Sequence, residues 1–156
     1  MQKNYDYDFA YYVKDVTDKR ISELTDEHLE RLYAEYEISN LAVDLYEKVK
    51  KEHAAFIEDM KKQNPDYIIK AAYEVVWKQN IMEYIENEFS YLTKEQYTAL
   101  LSVNNTLHEL YCEWLNSGEL CTYDDIEVLL KETAMAILIS MERKQMGVYM
   151  AQPIDV

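Results

Sequence analysis

Apolar residues recur along most of this chain at intervals of three and four, the spacing that gathers side chains on one face of an α-helix. Leu29, Leu32, Tyr33 and Tyr36 open one such stripe, and Leu41, Leu45, Val49 and Phe56 carry it towards Asn64. Ile68, Ile69, Ala72, Val75, Val76, Ile81 and Ile85 draw a second stripe, expected to be buried. Ile126, Leu129, Leu130, Thr133, Ala134, Ile137 and Met141 trace a third. The first twenty residues admit two patterns. Tyr5, Tyr7, Phe9, Tyr11 and Val13 alternate as in a strand, whereas Phe9, Tyr12, Val13 and Val16 fit a helical face. No later segment offers a partner strand, so the helix is favoured.

Capping chemistry marks the boundaries. Thr25 followed by Asp26 and Glu27 is a helix start with acids in its first turn. Asn64-Pro65 is a second start, with Asn as N-cap and Pro at the first helical position. Thr93-Lys94-Glu95-Gln96 and Thr106-Leu107-His108-Glu109 both read as capping boxes. Gly118 is a plausible stop, Thr122 a cap for the last helix, and Gly147 its end, leaving a flexible tail over 148–156. The expectation is an all-α fold, a single compact helical bundle of about five to seven helices over residues 1–147.

Composition agrees with this reading. Only 2 Gly and 2 Pro occur in 156 residues, too few for the turns that sheets and long loops need. A chain of this length buries roughly 68–70% of its unfolded surface and folds without staples. Cys112 and Cys121 are the only cysteines, read as reduced thiols. Met1-Gln2-Lys3-Asn4-Tyr5-Asp6 holds no apolar signal core, and the longest apolar run, Ala134 to Ile139, is too short to span a bilayer. A cytoplasmic location is expected.

Familiar catalytic patterns are missing. The histidines stand as Glu27-His28, Glu52-His53 and His108-Glu109, with no H-E-x-x-H and no Glu-x-x-His. His108 and Cys112 share a helical face, but two ligands do not hold zinc. Two glycines cannot build a phosphate loop. Cys112 sits beside Glu113, which opposes thiolate formation. Asp124-Asp125 reads as chance adjacency among 30 acids. Thr93 to Leu115 has the length of a helix-turn-helix turning at Val103-Asn104-Asn105, yet its second helix carries Glu109 and Glu113 and no Arg or Lys. The expectation is a non-enzyme with no cofactor and no metal.

Charge is the feature that stands out. The net charge is −14, which disfavours direct contact with nucleic acid or an anionic membrane and favours a basic protein partner. In the first half many acids have a cation four residues later: Asp15/Lys19, Glu27/Arg31, Asp44/Lys48, Glu47/Lys51, Glu58/Lys62, Asp66/Lys70 and Glu74/Lys78. From Gln79 to Leu130 that pattern stops. Glu83, Glu86, Glu88, Glu95, Glu109, Glu113, Glu119, Asp124, Asp125 and Glu127 face a single base, Lys94. These ten acids are the candidate partner-binding residues. Tyr84, Tyr91, Tyr97, Tyr111 and Tyr123 lie among them and suit either an interface or a core.

Leu45-Tyr46-Glu47-Lys48, Pro65-Asp66-Tyr67-Ile68-Ile69, Ala72-Tyr73-Glu74 and Leu100-Leu101 resemble a domain family of unknown function found on mobile genetic elements of Gram-positive anaerobes. The similarity covers about residues 41–132; the Tyr-rich first forty residues and the Met-rich end depart from it. The resemblance implies no catalytic residues. Its mobile-element setting implies an anti-defence inhibitor, of the anti-CRISPR type, that occupies a basic groove of a CRISPR or restriction nuclease. The alternative expectation is a structural or oligomeric helical adapter.

Overall fold

The computed structural model describes residues 5–87, 92–117 and 125–150, the side chains of 117 and 146–150 excepted. All regular structure among the described residues is helical, so the all-α expectation holds. Seven α-helices are described: α1 (Tyr7–Thr17), α2 (Asp26–Lys61), α3 (Pro65–Lys70), α4 (Ala72–Asn87), α5 (Lys94–Ser102), α6 (Thr106–Ser117) and α7 (Ile126–Met150).

The N-terminal segment takes the helical reading because burial selects it. Asp6 caps α1 by accepting the Phe9 amide at 2.8 Å, and Phe9 and Val13, four apart, are fully buried. They pack on Leu29 and Leu32 at the start of α2, walled by Tyr5, Tyr12, Tyr33 and Tyr36. The Phe9 ring lies 5.0 Å from Tyr33 and 5.4 Å from Tyr36, distances at which aromatic edges and faces attract. The tyrosine-rich opening is therefore a small core of its own. Asp18 closes α1 in the left-handed region (φ 58°), its amide returning to the Lys14 carbonyl at 2.8 Å.

Helix α2 has 36 residues, so it runs for about 54 Å. Thr25 caps it as expected, through the His28 amide. Its middle presents Leu45 and Val49 to the main core, which collects Ile81 of α4, Leu100 of α5, Leu107 and Leu110 of α6, and Ile126 and Leu130 of α7. Around this spine α4, α5 and α6 pack directly on α2, and α7 closes the bundle against α5 and α6.

The second stripe is only half realised. Asn64 and Pro65 do start a helix, but α3 has just six residues. The chain turns at Ala71 (φ −91°, ψ 3°) before α4 begins. Helix α3 packs mainly on α4, so Ile69, Ile68 and Tyr67 are exposed, as are Tyr73 and Val76. Ile81 is buried as expected. Periodicity states which side chains share a face; it does not supply a neighbour to cover them.

Two boundaries also differ. Thr93 and Gln96 form the expected capping box, whereas Thr106 and Glu109 do not. Asn105 is the N-cap of α6, accepting the His108 amide at 3.1 Å. Thr106 is wholly buried, its hydroxyl donating to the Leu100 carbonyl and accepting from Lys48. An α2 carboxylate takes the remaining α6 amides: Glu52 accepts from Thr106 N at 2.9 Å and Leu107 N at 3.0 Å. Gly147 does not end α7, which continues to Met150; one glycine costs a helix about 1 kcal/mol and without a capping turn does not stop it. Gly118, Thr122 and residues 151–156 lie outside the described residues.

Asn105→Ala should lower stability by about 1 kcal/mol in urea denaturation, the usual loss of a side-chain cap. Glu109→Ala should stay within about 0.5 kcal/mol, like other surface changes. Equal losses in both would restore the Thr106–Glu109 capping box.

Candidate functional site: an acidic cleft between α6 and α7

Helix α6 turns Leu107, Leu110, Tyr111 and Trp114 inward, which places Glu109 and Glu113, one turn apart, on its outer side. Their cleft, of about 600 Å³, is floored by the α5–α6 turn (Ser102 to Asn105) and by one face of α7. That face comprises Thr133, Ala136, Ile137, Ser140, Met141 and Lys144, at helical spacing. The volume falls within the range of small-molecule sites, though this cleft is open and its lining is about half polar. The third stripe accounts for it. Ile126, Leu129, Leu130 and Ala134 are buried, Ile137 is half-buried and Met141 is exposed, because the second half of α7 passes beyond the cover of α6.

Neither Glu109 nor Glu113 joins an ion pair or side-chain hydrogen bond among the described residues. At the bottom lies Thr133, only 2% exposed, whose hydroxyl has no partner. Helical threonines commonly bond the carbonyl four residues back; this one does not.

The other candidate acids are scattered. Glu83 is half-buried on α4 and accepts from Gln79 Nε2 at 3.0 Å. Glu86 is exposed near the end of the same helix. Glu95, in the first turn of α5, borders a smaller apolar recess that shares Met141 with the main cleft. Asp125 is exposed at the head of α7. Glu127 is a correction: Lys131, one residue beyond the base-poor window, pairs with it at 3.3 Å. Glu88, Glu119 and Asp124 lie outside the described residues. The described acids therefore do not make one face; the structure brings Glu109 and Glu113 together, with Glu95 at a separate recess.

The contrast with the first half of the chain is corrected as well. Of the seven i,i+4 pairs, only Glu74–Lys78 forms, at 2.8 Å. Lys48 turns to Glu52 at 2.6 Å instead of Asp44, and Lys61, not Lys62, meets Glu58. Water solvates the rest, since an exposed pair gains little against side-chain entropy. Lys94, the lone base of the acidic stretch, reaches back to Glu37 of α2 at 2.9 Å. Unpaired charge thus occurs in both halves; the second differs in its excess of acids.

Next to the cleft, and sharing His108 with its lining, lies a cluster that sequence spacing only hinted at. Lys78 is 4% exposed, held by Glu74, by the Phe56 ring at 4.1 Å and by His108 Nδ1 at 3.1 Å. An ammonium has no lone pair, so Nδ1 of the neutral ring must accept, which leaves the ring proton on Nε2. Nε2 in turn lies 3.4 Å from Cys112 Sγ. A protonated Nε2 cannot serve as base for the thiol. Burial first, then the Glu109 charge, also pushes the Cys112 thiol up, and Lys78 only partly opposes them. This is a packed ionic cluster and not an activated nucleophile. Among the described residues, no group of three or more His, Cys, Asp or Glu could hold a metal, and no helix is long and apolar enough to cross a membrane.

No protein-family model, curated protein or solved structure matches the chain.

His53 of α2 yields a pH prediction. Its Nε2 is buried without a partner; burial, with help from Lys78 and against Glu83, pushes the imidazole below its usual 6.5. The unfolded chain then binds a proton that the folded chain refuses. This contribution to stability is present above about pH 6.5 and lost as pH falls through the folded value. Histidine NMR should show His53 titrating below 6.5, and His53→Gln should flatten the stability slope just under that pH. Titration at or above 6.5 would contradict the burial argument.

Proposed function

We propose that the chain is a non-enzymatic inhibitor acting in the cytoplasm. It presents the carboxylates of the α6–α7 cleft to a basic groove built to hold nucleic acid. In that groove Glu109 and Glu113 stand where phosphates would otherwise lie, gripped by arginines through charge-assisted bonds. The observation that carries this reading is the pair itself: two uncompensated carboxylates, one turn apart, on a helix fixed by Asn105 and Glu52. Like charges at this spacing cost about 0.2–0.5 kcal/mol, and a solubilising surface has no need to place them beside a cleft. The overall charge of −14 adds long-range steering towards a cationic partner. The resemblance of residues 41–132 to a mobile-element family supplies the setting: an anti-defence role, anti-CRISPR in type, against a CRISPR or restriction nuclease.

The exposed apolar group on α3 and α4 favours a second reading. Tyr67, Ile69, Tyr73 and Val76 are each about half exposed or more, which suits an adapter that associates through apolar contact.

Charge reversal separates the two. Glu109→Lys with Glu113→Lys should leave the helical content intact and weaken capture of a CRISPR or restriction nuclease by at least about tenfold at low salt, the scale of one lost charge-assisted bond. Glu83→Lys with Glu86→Lys should do much less. Binding that resists both variants and added salt, yet fails on Ile69→Asp, would favour the adapter.

A further inference from the structure

We propose that the outward face of α7 pairs with the same face of a second copy of this chain, antiparallel, about a twofold axis level with Ile137. The inference does not rest on the inhibitor reading, and it uses a different surface from the cleft. The core takes one side of α7, where Ile126, Leu129, Leu130 and Ala134 are buried. On the opposite side Val128, Met135 and Ile139 are each about half exposed. They recur at steps of seven and four residues, the spacing of a seam into which a second helix can fit its own side chains. A helix with apolar residues on both sides belongs between two neighbours. Here α5 and α6 are the main neighbours, and they leave the outward side open.

Charge points to a second copy as the occupant. Between Ile126 and Gln145 the helix carries Glu127, Glu132 and Glu142 against Lys131, Arg143 and Lys144, so it is neutral on a chain of net charge −14. Two copies repel over most of their surfaces and least here. The charges are also self-complementary. In an antiparallel pair, positions equally far from the axis on opposite sides meet, and each flank faces the same flank of the other helix. With the axis level with Ile137, Met135 meets the partner's Ile139. On one flank Glu132 falls opposite the partner's Arg143, and on the other Lys131 falls opposite the partner's Glu142. Glu132, Glu142 and Arg143 have no ion-pair partner among the described residues, whereas Lys131 already holds Glu127. The Glu132–Arg143 pairs therefore set the register. A parallel pairing would put like charges together at both positions, which is repulsive. A standard interface takes roughly 20–30 residues a side; this seam has far fewer, so the dimer is weak, forming in the micromolar range or above.

Sedimentation velocity of the full chain over roughly 1–500 μM should show the mass climbing from 18.6 kDa towards twice that value. Ile139→Asp should weaken self-association by about tenfold or more, because it places an unpaired charge in the seam. Glu132→Arg and Arg143→Glu, both at exposed positions, should each weaken it several-fold, since symmetry repeats the repelling pair. Glu132→Arg makes the chain less acidic, so net charge alone would give the opposite result. An equimolar mixture of these two variants should recover the natural affinity, as should the double variant, which a merely structural role for either residue would not produce. A chain that stays monomeric throughout, or single charge variants that associate as the natural chain does, overturns the proposal. So does association lost in Ile69→Asp and kept in Ile139→Asp, which would place the second copy on α3 and α4 instead.

Discussion

The Glu52 carboxylate sets the geometry of everything on the far side of α2. It meets the first amides of α6 at Thr106 and Leu107, where the helix dipole is positive. Lys48, one turn earlier, holds the Glu52 carboxylate and also donates to the Val103 carbonyl at 2.8 Å and the Thr106 hydroxyl at 3.0 Å. One turn of α2 thus satisfies both the orphan donors of a helix start and the carbonyls of the turn before it. Both side chains are largely shielded, 25% and 12% exposed, where such bonds are worth more than on a wet surface.

Fixing where α6 starts also fixes which way it faces. With Thr106 and Leu107 pinned, Leu110, Tyr111 and Trp114 fall into the core. Glu109 and Glu113 are then left beside α7, and His108 and Cys112 beside Lys78 of α4. The two flanks differ in electrostatics for that reason alone. The α4 flank compensates its charge internally through Glu74, Lys78 and the Phe56 ring. On the α7 flank Glu109 and Glu113 have no ion-pair partner among the described residues, and the proposed binding surface rests on that asymmetry.

Much of the architecture is legible from spacing and caps. Thr25, Asn64 and Thr93 start helices where their side chains can accept an amide, and the stripes on α2 and α7 bury Leu45, Val49, Leu129 and Leu130. What spacing could not give is contact between distant segments. Glu52 looks like half of a surface pair with Lys48, because the amides it accepts from lie more than fifty residues away. Lys78 was readable as half of an exposed pair with Glu74, but not as a buried cation under Phe56. Ile69 belongs to a sound apolar stripe and is 72% exposed, since a six-residue helix at the edge of a bundle has little to cover it. For the cleft, Glu109 and Glu113 were visible as a like-charge pair. Thr133 was visible too, as the one hydroxyl within the apolar face of α7, although nothing in the sequence said that its oxygen would be left over.

Glu52 holds the start of α6 and so orients the cleft. Amide hydrogen exchange, compared between the natural chain and Glu52→Ala, tests it at the atoms concerned. In Glu52→Ala the Thr106 and Leu107 amides should lose protection by at least about tenfold, the equivalent of one charge-assisted bond, with Glu109 and Leu110 following. Helix α1, at the other end of α2, should be unaffected. Unchanged protection at Thr106 and Leu107 would show that α6 starts where it does without the carboxylate, and that Glu52 does not orient the cleft.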